Sequence, residues 1–411
     1  MFNAILKSLI TILYENAYTN IIVNQTIKHN HFTDYEKRLY TKIVYGIVEK
    51  KMLLDFYLQP LLKGKRVKPF VRNALRVGVY AMDYLKLPVY YVVNEVVGCI
   101  KKQDYKASTF VNAILRKYQS QKKPDLSSLT KLKRYSIMYS LPFDLTALLY
   151  KQYQEQIISF FDEGEEPYNT YRINTLKAKL DDITSFLDQA QINYMVEEDI
   201  ILQTKTSLIQ SPLFQDGLIV AQDKSSMMVP LLLCPSKKEV ILDACSAPGS
   251  KTMQMASMIE NDGKIIAMDI YPHKLKLIEE NAKKLGVTCV TTKLADAKNV
   301  HFDKKFDKIL IDAPCSGLGV IRHKPDLKYQ MTLDKIEDIK QTQWAILENI
   351  SQYLKPNGIL VYSTCTINKE ENEEMIRFFL EKHTNFIKEE EKKVLPSNRE
   401  DGFYICRLRG C

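Results

Sequence analysis

Among its 8 cysteines the sequence has no pair at Cys-x-x-Cys spacing, and it contains no internal repeat and no low-complexity tract. The missing pairs exclude a dithiol redox motif and a finger-type zinc site, so no metal is expected; 8 cysteines in 411 residues are also too sparse for a disulfide framework. Met1 to Ile10 carries Lys7 but no long apolar core and no small-residue cleavage site. The expectation is therefore no signal peptide, no membrane span and a reducing cytoplasm. What is present is ordinary for a folded protein, 45% hydrophobic and 26% charged, and the length accommodates two or three domains with sizeable cores.

The net charge of +9 is unevenly spread. Residues 1–125 hold 21 Lys plus Arg against 9 Asp plus Glu, an excess of +12 that leaves −3 for the rest. A basic N-terminal third suits an anionic partner and favours a nucleic acid over an acidic protein, although a solvated basic surface carries the same charge.

Three regions follow from the patterning. Residues 1–125 read as an all-helical domain: Leu39, Ile43, Tyr45 and Ile47, then Leu53, Leu54, Tyr57 and Leu58, recur at helical spacing as buried faces of separate helices. Leu61 to Lys68 is a basic linker, Pro69 suits a helix start, and Asn73–Tyr84, Val92–Lys101 and Ser108–Lys117 complete the domain. Residues 126–216 read as a small α/β subdomain, with helix over Leu145–Phe160, a break at Asp162–Pro167, strands at Tyr168–Leu176 and Tyr194–Glu197, and a helix at Asp181–Gln189. Residues 217–411 read as a mostly parallel sheet with helices on both faces, a Rossmann-like α/β fold. Its strands fall at Val240–Leu242, Lys264–Met268, Thr288–Thr292, Lys308–Ile311 and Ile359–Tyr362, and Gly402–Leu408 follows a charged segment as the last strand.

The first of these strands ends in Asp243-Ala244-Cys245-Ser246-Ala247-Pro248-Gly249-Ser250-Lys251-Thr252. A turn of small residues there lets backbone N–H groups approach a ligand closely. It lacks the spacing of a dinucleotide fingerprint and the earlier glycine of a phosphate loop, which disfavours a dehydrogenase or a nucleotide triphosphatase. Asp269, at the end of the second strand, is placed to accept both ribose hydroxyls of an adenosine, and Asp296, after the third, to accept from an adenine amino group. The alternative for each is a cap or a solvated loop residue.

The fourth strand runs into Asp312-Ala313-Pro314-Cys315-Ser316-Gly317-Leu318-Gly319, and the fifth ends in Tyr362-Ser363-Thr364-Cys365-Thr366. Loops at the carboxyl ends of adjacent central strands converge, so both cysteines are expected over one crevice. Such a pair suits methylation of cytosine at carbon 5. That carbon attacks a methyl donor only after a thiolate has added to carbon 6, and the thiolate must later depart. Cys365 is expected to add, Cys315 to assist its departure, and Asp312 to bond the cytosine edge. A lone strand-end cysteine is more often a buried small hydrophobe, but two on adjacent strand ends reverse that preference. Cys245 is expected to pack beneath the first loop, and Lys251 to hold that loop or favour the thiolate. Arg322, His323 and Lys324 are expected around the crevice, on the phosphates of a flipped nucleotide.

Asp243–Thr252, Asp312–Gly319 and Ser363–Thr366 resemble motifs of the RNA cytosine-5 methyltransferases of the Nol1/Nop2/Sun type. So do Ala221-Gln222-Asp223-Lys224-Ser225-Ser226, Glu371-Asn372-Glu373 and Asp401-Gly402-Phe403-Tyr404. The resemblance covers roughly residues 130–411. It implies a class I fold using S-adenosyl-L-methionine, with Cys365 as covalent nucleophile and Cys315 as the thiol of product release. It also implies cofactor contacts from Cys245, Ser246, Ala247, Pro248, Gly249, Lys251, Asp269, Lys274, Asp296 and Asp312. Tyr171-Arg172-Ile173-Asn174 resembles part of the family's small RNA-facing subdomain. Ser246 and Ser250 stand where alanine and glycine are usual, and Lys274 where arginine is common. Leu75-Arg76-Val77-Gly78-Val79-Tyr80, Asn94-Glu95-Val96-Val97 and Phe110 to Arg116 resemble the NusB-like RNA-binding domain fused to the bacterial small-subunit branch of the family. The implied substrate is one cytosine of 16S ribosomal RNA, naked or in an early assembly particle, and the enzyme is expected to act as a monomer. The competing readings are the same chemistry on transfer RNA or 23S RNA, a DNA cytosine methyltransferase with Cys315 as attacker, and a pure RNA-binding module.

Overall fold

The structure is a computed structural model that describes residues 1–161, 168–397 and 400–411. The break expected at Asp162–Pro167 lies outside the described residues. Residues group into two compact units: Met1–Phe161 with Ile321–Leu333, and Asp162–Val320 with Asp334–Cys411.

The first unit is helical, with α1 Phe2–Tyr14, α2 Thr19–His29, α3 Asp34–Leu62, α4 Pro69–Asp83, α5 Val89–Lys101, α6 Tyr105–Ser120, α7 Lys131–Met138, α8 Phe143–Tyr153 and α9 Ile157–Phe161. A capping box starts α3: Thr33 Oγ1 accepts from Glu36 N at 3.2 Å and Glu36 Oε2 from Thr33 N at 2.9 Å. The two helices expected over residues 39–58 meet within the α3 span at a kink, where Lys50 has non-helical φ −103° and ψ 15°. Ile43, Ile47, Leu53, Leu54 and Leu58 are buried as expected. Proline opens α4, where its missing N–H costs nothing. This helix is the hub, buried from Asn73 to Ala81. Inside it, Arg76 meets Asp55 through two parallel bonds of 2.9 and 2.6 Å and donates to Asn73 Oδ1 at 2.7 Å, which satisfies a buried guanidinium. The helix expected over Leu145–Phe160 is α8, a short 3-10 turn and α9, since Gln154 has a left-handed φ of 50°.

The second unit opens with a four-stranded antiparallel sheet, order β2-β3-β1-β4, from β1 Asn169–Ile173, β2 Met195–Glu197, β3 Ile201–Thr204 and β4 Ile219–Ala221, flanked by α10 Leu180–Gln189 and α11 Pro212–Gln215. Strand β2 falls within the expected Tyr194–Glu197, whereas β3 and β4, of four and three residues, are not among the expected strands. The helix α12 Lys224–Leu233 leads into a seven-stranded sheet, order β10-β11-β9-β8-β5-β6-β7. Its parallel strands are β5 Val240–Asp243, β6 Lys264–Asp269, β7 Val290–Leu294, β8 Phe306–Asp312 and β9 Leu354–Thr364. Between them lie α13 Ser250–Met258 and α14 Pro272–Leu285. Then come α16 Leu333–Ser351 and α17 Glu373–Lys382, while α15 Leu327–Gln330 lies in the Ile321–Leu333 segment of the first unit. The antiparallel pair β10 Phe386–Val394 and β11 Phe403–Gly410 closes one edge. The charged segment before the last strand is thus itself a strand. As an edge with both faces largely wet, β10 carries charges that oppose further pairing, and these hide its period-2 signal.

Candidate active site

The β5 end turns through Ser246, whose N and Oγ both donate to Met268 O at 2.9 Å, tying the loop to β6. Serine in place of the usual alanine therefore adds a strut. Gly249 takes φ +100°, a region L side chains rarely adopt, and directly precedes α13. Ser250 is the first residue of that helix, so the backbone condition a serine requires there is met. Asp243 is buried; its Oδ2 accepts from Thr252 Oγ1 at 2.6 Å and its Oδ1 has no hydrogen-bond partner. Burial raises its carboxyl to about 7, against the Thr252 bond and with help from the nearby Asp312 charge.

A narrow cleft is lined by Asp243, Cys245, Ser246, Ala247, Pro248, Ser250, Lys251 and Asp312, which brings most of the expected loop residues together. Burial, then the charges of Asp243, Asp312 and Asp269, push the Cys245 thiol far up and make it a packing group rather than a nucleophile. Asp269, at the end of β6, is buried, accepts from Tyr271 N at 3.0 Å and has Lys274 Nζ 3.8 Å away. Asp296, half-buried after β7, accepts from Lys298 N at 3.0 Å, a turn-capping geometry.

Lys251 is buried, 2.7 Å from Asp312 Oδ2 and 5.0 Å from the centre of the Phe403 ring. Asp312 Oδ1 accepts from Ser363 Oγ at 2.8 Å. The Asp312 carboxylate thus has a cation on one oxygen and a hydroxyl on the other, a fixed orientation at the end of β8.

The two thiols meet: Cys315 Sγ and Cys365 Sγ are 3.2 Å apart, neither cysteine in a disulfide and both partly exposed. The cause is the pairing of β8 with β9, which continues past both strands. Ala313 N donates to Ser363 O at 2.8 Å and Gly319 N to Cys365 O at 3.1 Å. Gly319 O in turn accepts from Gly402 N at 2.9 Å. Below lies a buried polar cluster of Ser316, Gln343, Thr366, Asn368, Glu371 and Asn372. Of these, Glu371 and Asn372 stand in a motif visible in the sequence, but nothing local announces that they support the thiol loops. Phe403 and Ser363 had no assigned role either.

The polar residues of the Tyr171-Arg172-Ile173-Asn174 motif face inward. Arg172 is buried with Nε on Gln222 Oε1 at 3.0 Å, and Asn174 Nδ2 donates to Gly217 O and Leu285 O. Both are internal struts. Arg322, His323 and Lys324 belong to the Ile321–Leu333 segment, which clusters with the helical unit. Within that unit Asp326 accepts from Thr19 N at 3.3 Å and buried Lys328 donates to Glu49 O at 2.6 Å.

The parallel sheet, the glycine turn into α13 and the carboxylates ending β5 and β6 define a class I, S-adenosylmethionine-dependent methyltransferase. More narrowly, the chain belongs to the 16S rRNA methyltransferase RsmB/F family, whose model matches residues 230–409, and the NusB family model matches residues 3–120. The probable ribosomal RNA small subunit methyltransferase B of Bacillus subtilis is 35% identical over 98% of this chain and 97% of its own. Ribosomal RNA small subunit methyltransferase B of Escherichia coli is 30% identical over 92% and 91%. The crystal structure of PH0851 superposes with a TM-score of 0.84 at 25% identity, covering 99% of this chain and 98% of that one. A methyltransferase homologue from Pyrococcus horikoshii covers 69% of this chain and 100% of its own, at 28% identity and a TM-score of 0.60.

Proposed function

We propose that the protein methylates carbon 5 of one cytosine in 16S ribosomal RNA, with Cys365 as covalent nucleophile, Cys315 as the thiol of release and Asp312 on the cytosine edge. The observation that carries this reading is the 3.2 Å approach of two thiols, neither in a disulfide, at the ends of adjacent strands β8 and β9. A dehydrogenase or an RNA-binding module has no use for it.

The cleft suits the cofactor. Asp243 Oδ1 is a buried acceptor without a partner, matched to the ammonium of a methionyl group, and the Asp269 carboxylate at the next strand end is matched to ribose hydroxyls. Cys245 to Gly249, Lys251, Lys274 and Asp296 complete the set. When bound, S-adenosylmethionine supplies an electrophilic methyl group. The protein's own residues do the rest. The target cytosine leaves its stack, Cys365 adds to carbon 6 and makes carbon 5 nucleophilic, and Asp312, held by Lys251 and Ser363, accepts from the base.

Residues 1–125 are read as the RNA-binding domain, 126–216 as a small recognition subdomain and 217–411 as the catalytic domain. A cavity of about 500 Å³ in the helical unit supports an RNA-binding role: Lys65, Arg66, Arg72 and Lys133 surround an apolar wall that includes Phe56. Its one carboxylate, Asp55, is already engaged by Arg76. No helix among the described residues is long and apolar enough to cross a membrane, and 8 cysteines without a disulfide suit the cytoplasm.

The test is transfer of labelled methyl groups to RNA from cells lacking the protein, followed by mapping. Cys365→Ala is expected to abolish transfer and Cys315→Ala to accumulate a protein–RNA adduct. An active Cys365→Ala enzyme sinks the mechanism, and a product in transfer RNA or 23S RNA sinks the substrate.

A further inference from the structure

One carboxylate holds both thiol loops. Glu371 is fully buried, and each of its oxygens accepts twice: Oε1 from Ser316 Oγ (2.5 Å) and Asn368 Nδ2 (3.1 Å), Oε2 from Ser316 N (2.9 Å) and Gln343 Nε2 (3.1 Å). Four donors fill the acceptor capacity of an ionised carboxylate, whereas a protonated acid would have to give one up. Burial pushes this carboxyl up, and the four bonds oppose that push. Ser316 is the residue after Cys315, and its Oγ lies 2.7 Å from Thr366 Oγ1, on the residue after Cys365. Gln343 Nε2 also donates to Pro314 O, the residue before Cys315, at 2.8 Å.

We propose that Glu371 is a positioning residue that braces the Cys315 loop against the Cys365 loop and, by its negative charge next to Ser316, keeps the proton of the thiol pair on Cys315. This rests on the reading of Cys365 as nucleophile. The hydrogen bond with Cys365, burial, and the charges of Cys365 and Glu371 all hold the Cys315 thiol well up. The other titratable groups nearby do not offset this. Tyr362 donates to Glu371 O and is kept neutral by burial, Cys245 is held as a thiol, and the Asp312 charge is matched by Lys251.

The step balances with one shared proton. Cys365 Sγ forms the bond to carbon 6 as the 5,6 double bond opens. After methylation the bond from carbon 5 to hydrogen breaks and its proton goes to water. The double bond re-forms, and the electron pair of the C6–S bond returns to Cys365, where the Cys315 S–H hydrogen-bonds to it. Cys315 ends with the proton it began with.

The experiment is iodoacetamide alkylation of the full-length protein from pH 6 to 10, with peptide mass spectrometry reading each cysteine separately. In the wild type Cys365 is expected to react about ten-fold faster than Cys315 at neutral pH. In Glu371→Gln the Cys315 profile is expected to move about one unit to lower pH, and Glu371→Asp is expected to restore part of the order. Equal rates in the wild type, or an unmoved Cys315 profile in Glu371→Gln, overturn the proposal. Should Glu371→Gln fail to fold, the wild-type ratio and the same measurement on Ser316→Ala decide, since removing one brace bond must narrow the ratio. An active Cys365→Ala enzyme would sink the methyl-transfer reading while leaving the alkylation order intact, so the two failures are distinguishable.

Discussion

A single methyl group on Gly319 is predicted to disable the enzyme without altering the chemistry of any side chain of the site. A Cβ there would stand 2.1 Å from the Gly402 carbonyl oxygen, 2.7 Å from its carbon and 2.9 Å from the Cys365 oxygen. These are backbone atoms, so no rotamer change relieves the overlap. The chain must open by roughly 1.4 Å to reach ordinary contact distances of about 3.5 Å. Opening strains two hydrogen bonds, Gly319 N to Cys365 O and Gly402 N to Gly319 O. With net values of about 1 kcal/mol per bond and 1–3 kcal/mol for overpacking, Gly319→Ala costs roughly 2–4 kcal/mol. For a unit of this size that lowers the melting temperature by roughly 5–15 °C. The displaced segment includes Cys365, and a misplacement of about 1 Å at a reacting atom costs on the order of 10²-fold in kcat. The assay is methyl transfer to the substrate RNA at saturating cofactor, below the lowered melting point, alongside calorimetry. Gly98→Ala, where nothing lies within 4 Å, is the control and should be neutral or slightly stabilising. A Gly319→Ala enzyme with wild-type kcat and melting temperature refutes the claim that this crossing sets the position of Cys365.

The raised carboxyl of Asp243, about 7, makes cofactor affinity depend on pH. If its partnerless oxygen receives an ammonium, binding measured calorimetrically should tighten by up to about ten-fold from pH 6 to 8 and then level off, with Asp243→Asn weak and flat. The same shift opposes folding. Stability present below the unfolded-state value of about 3.9 is lost as pH rises through about 7, so denaturant titrations should show Asp243→Asn gaining on the wild type over that window. In the helical unit, Lys65→Ala with Lys133→Ala should reduce the slope of log affinity against log salt by about 1.4 for a single-stranded RNA, about 0.7 per lost phosphate contact. An unchanged slope would return those charges to a solvated surface.

What could be read in advance, and what could not, divides along physical lines. The strands β5, β6, β8 and β9 are central and buried, so their apolar runs are plain, and each ends in a turn whose chemistry is local. That is why Asp243, Asp269, Asp312, Cys315 and Cys365 could be placed before any coordinates. Strand β10 is exposed and charged, so its sequence reads as a loop although its pairing with β11 is regular over most of its length. Glu371 failed to declare itself for a different reason. Three of its four donor atoms are remote in the chain: Ser316, 55 residues earlier, supplies two and Gln343, 28 residues earlier, supplies one. A buried carboxylate acquires its role from such non-local donors, which no periodicity records. Arg172 shows the same limit: the motif around it gives no sign that its buried guanidinium donates to Gln222, 50 residues later in the chain. Motif chemistry therefore points to candidate residues where the residue and its strand end suffice, and is silent on charged residues such as Glu371 and Arg172, whose roles burial and non-local partners decide.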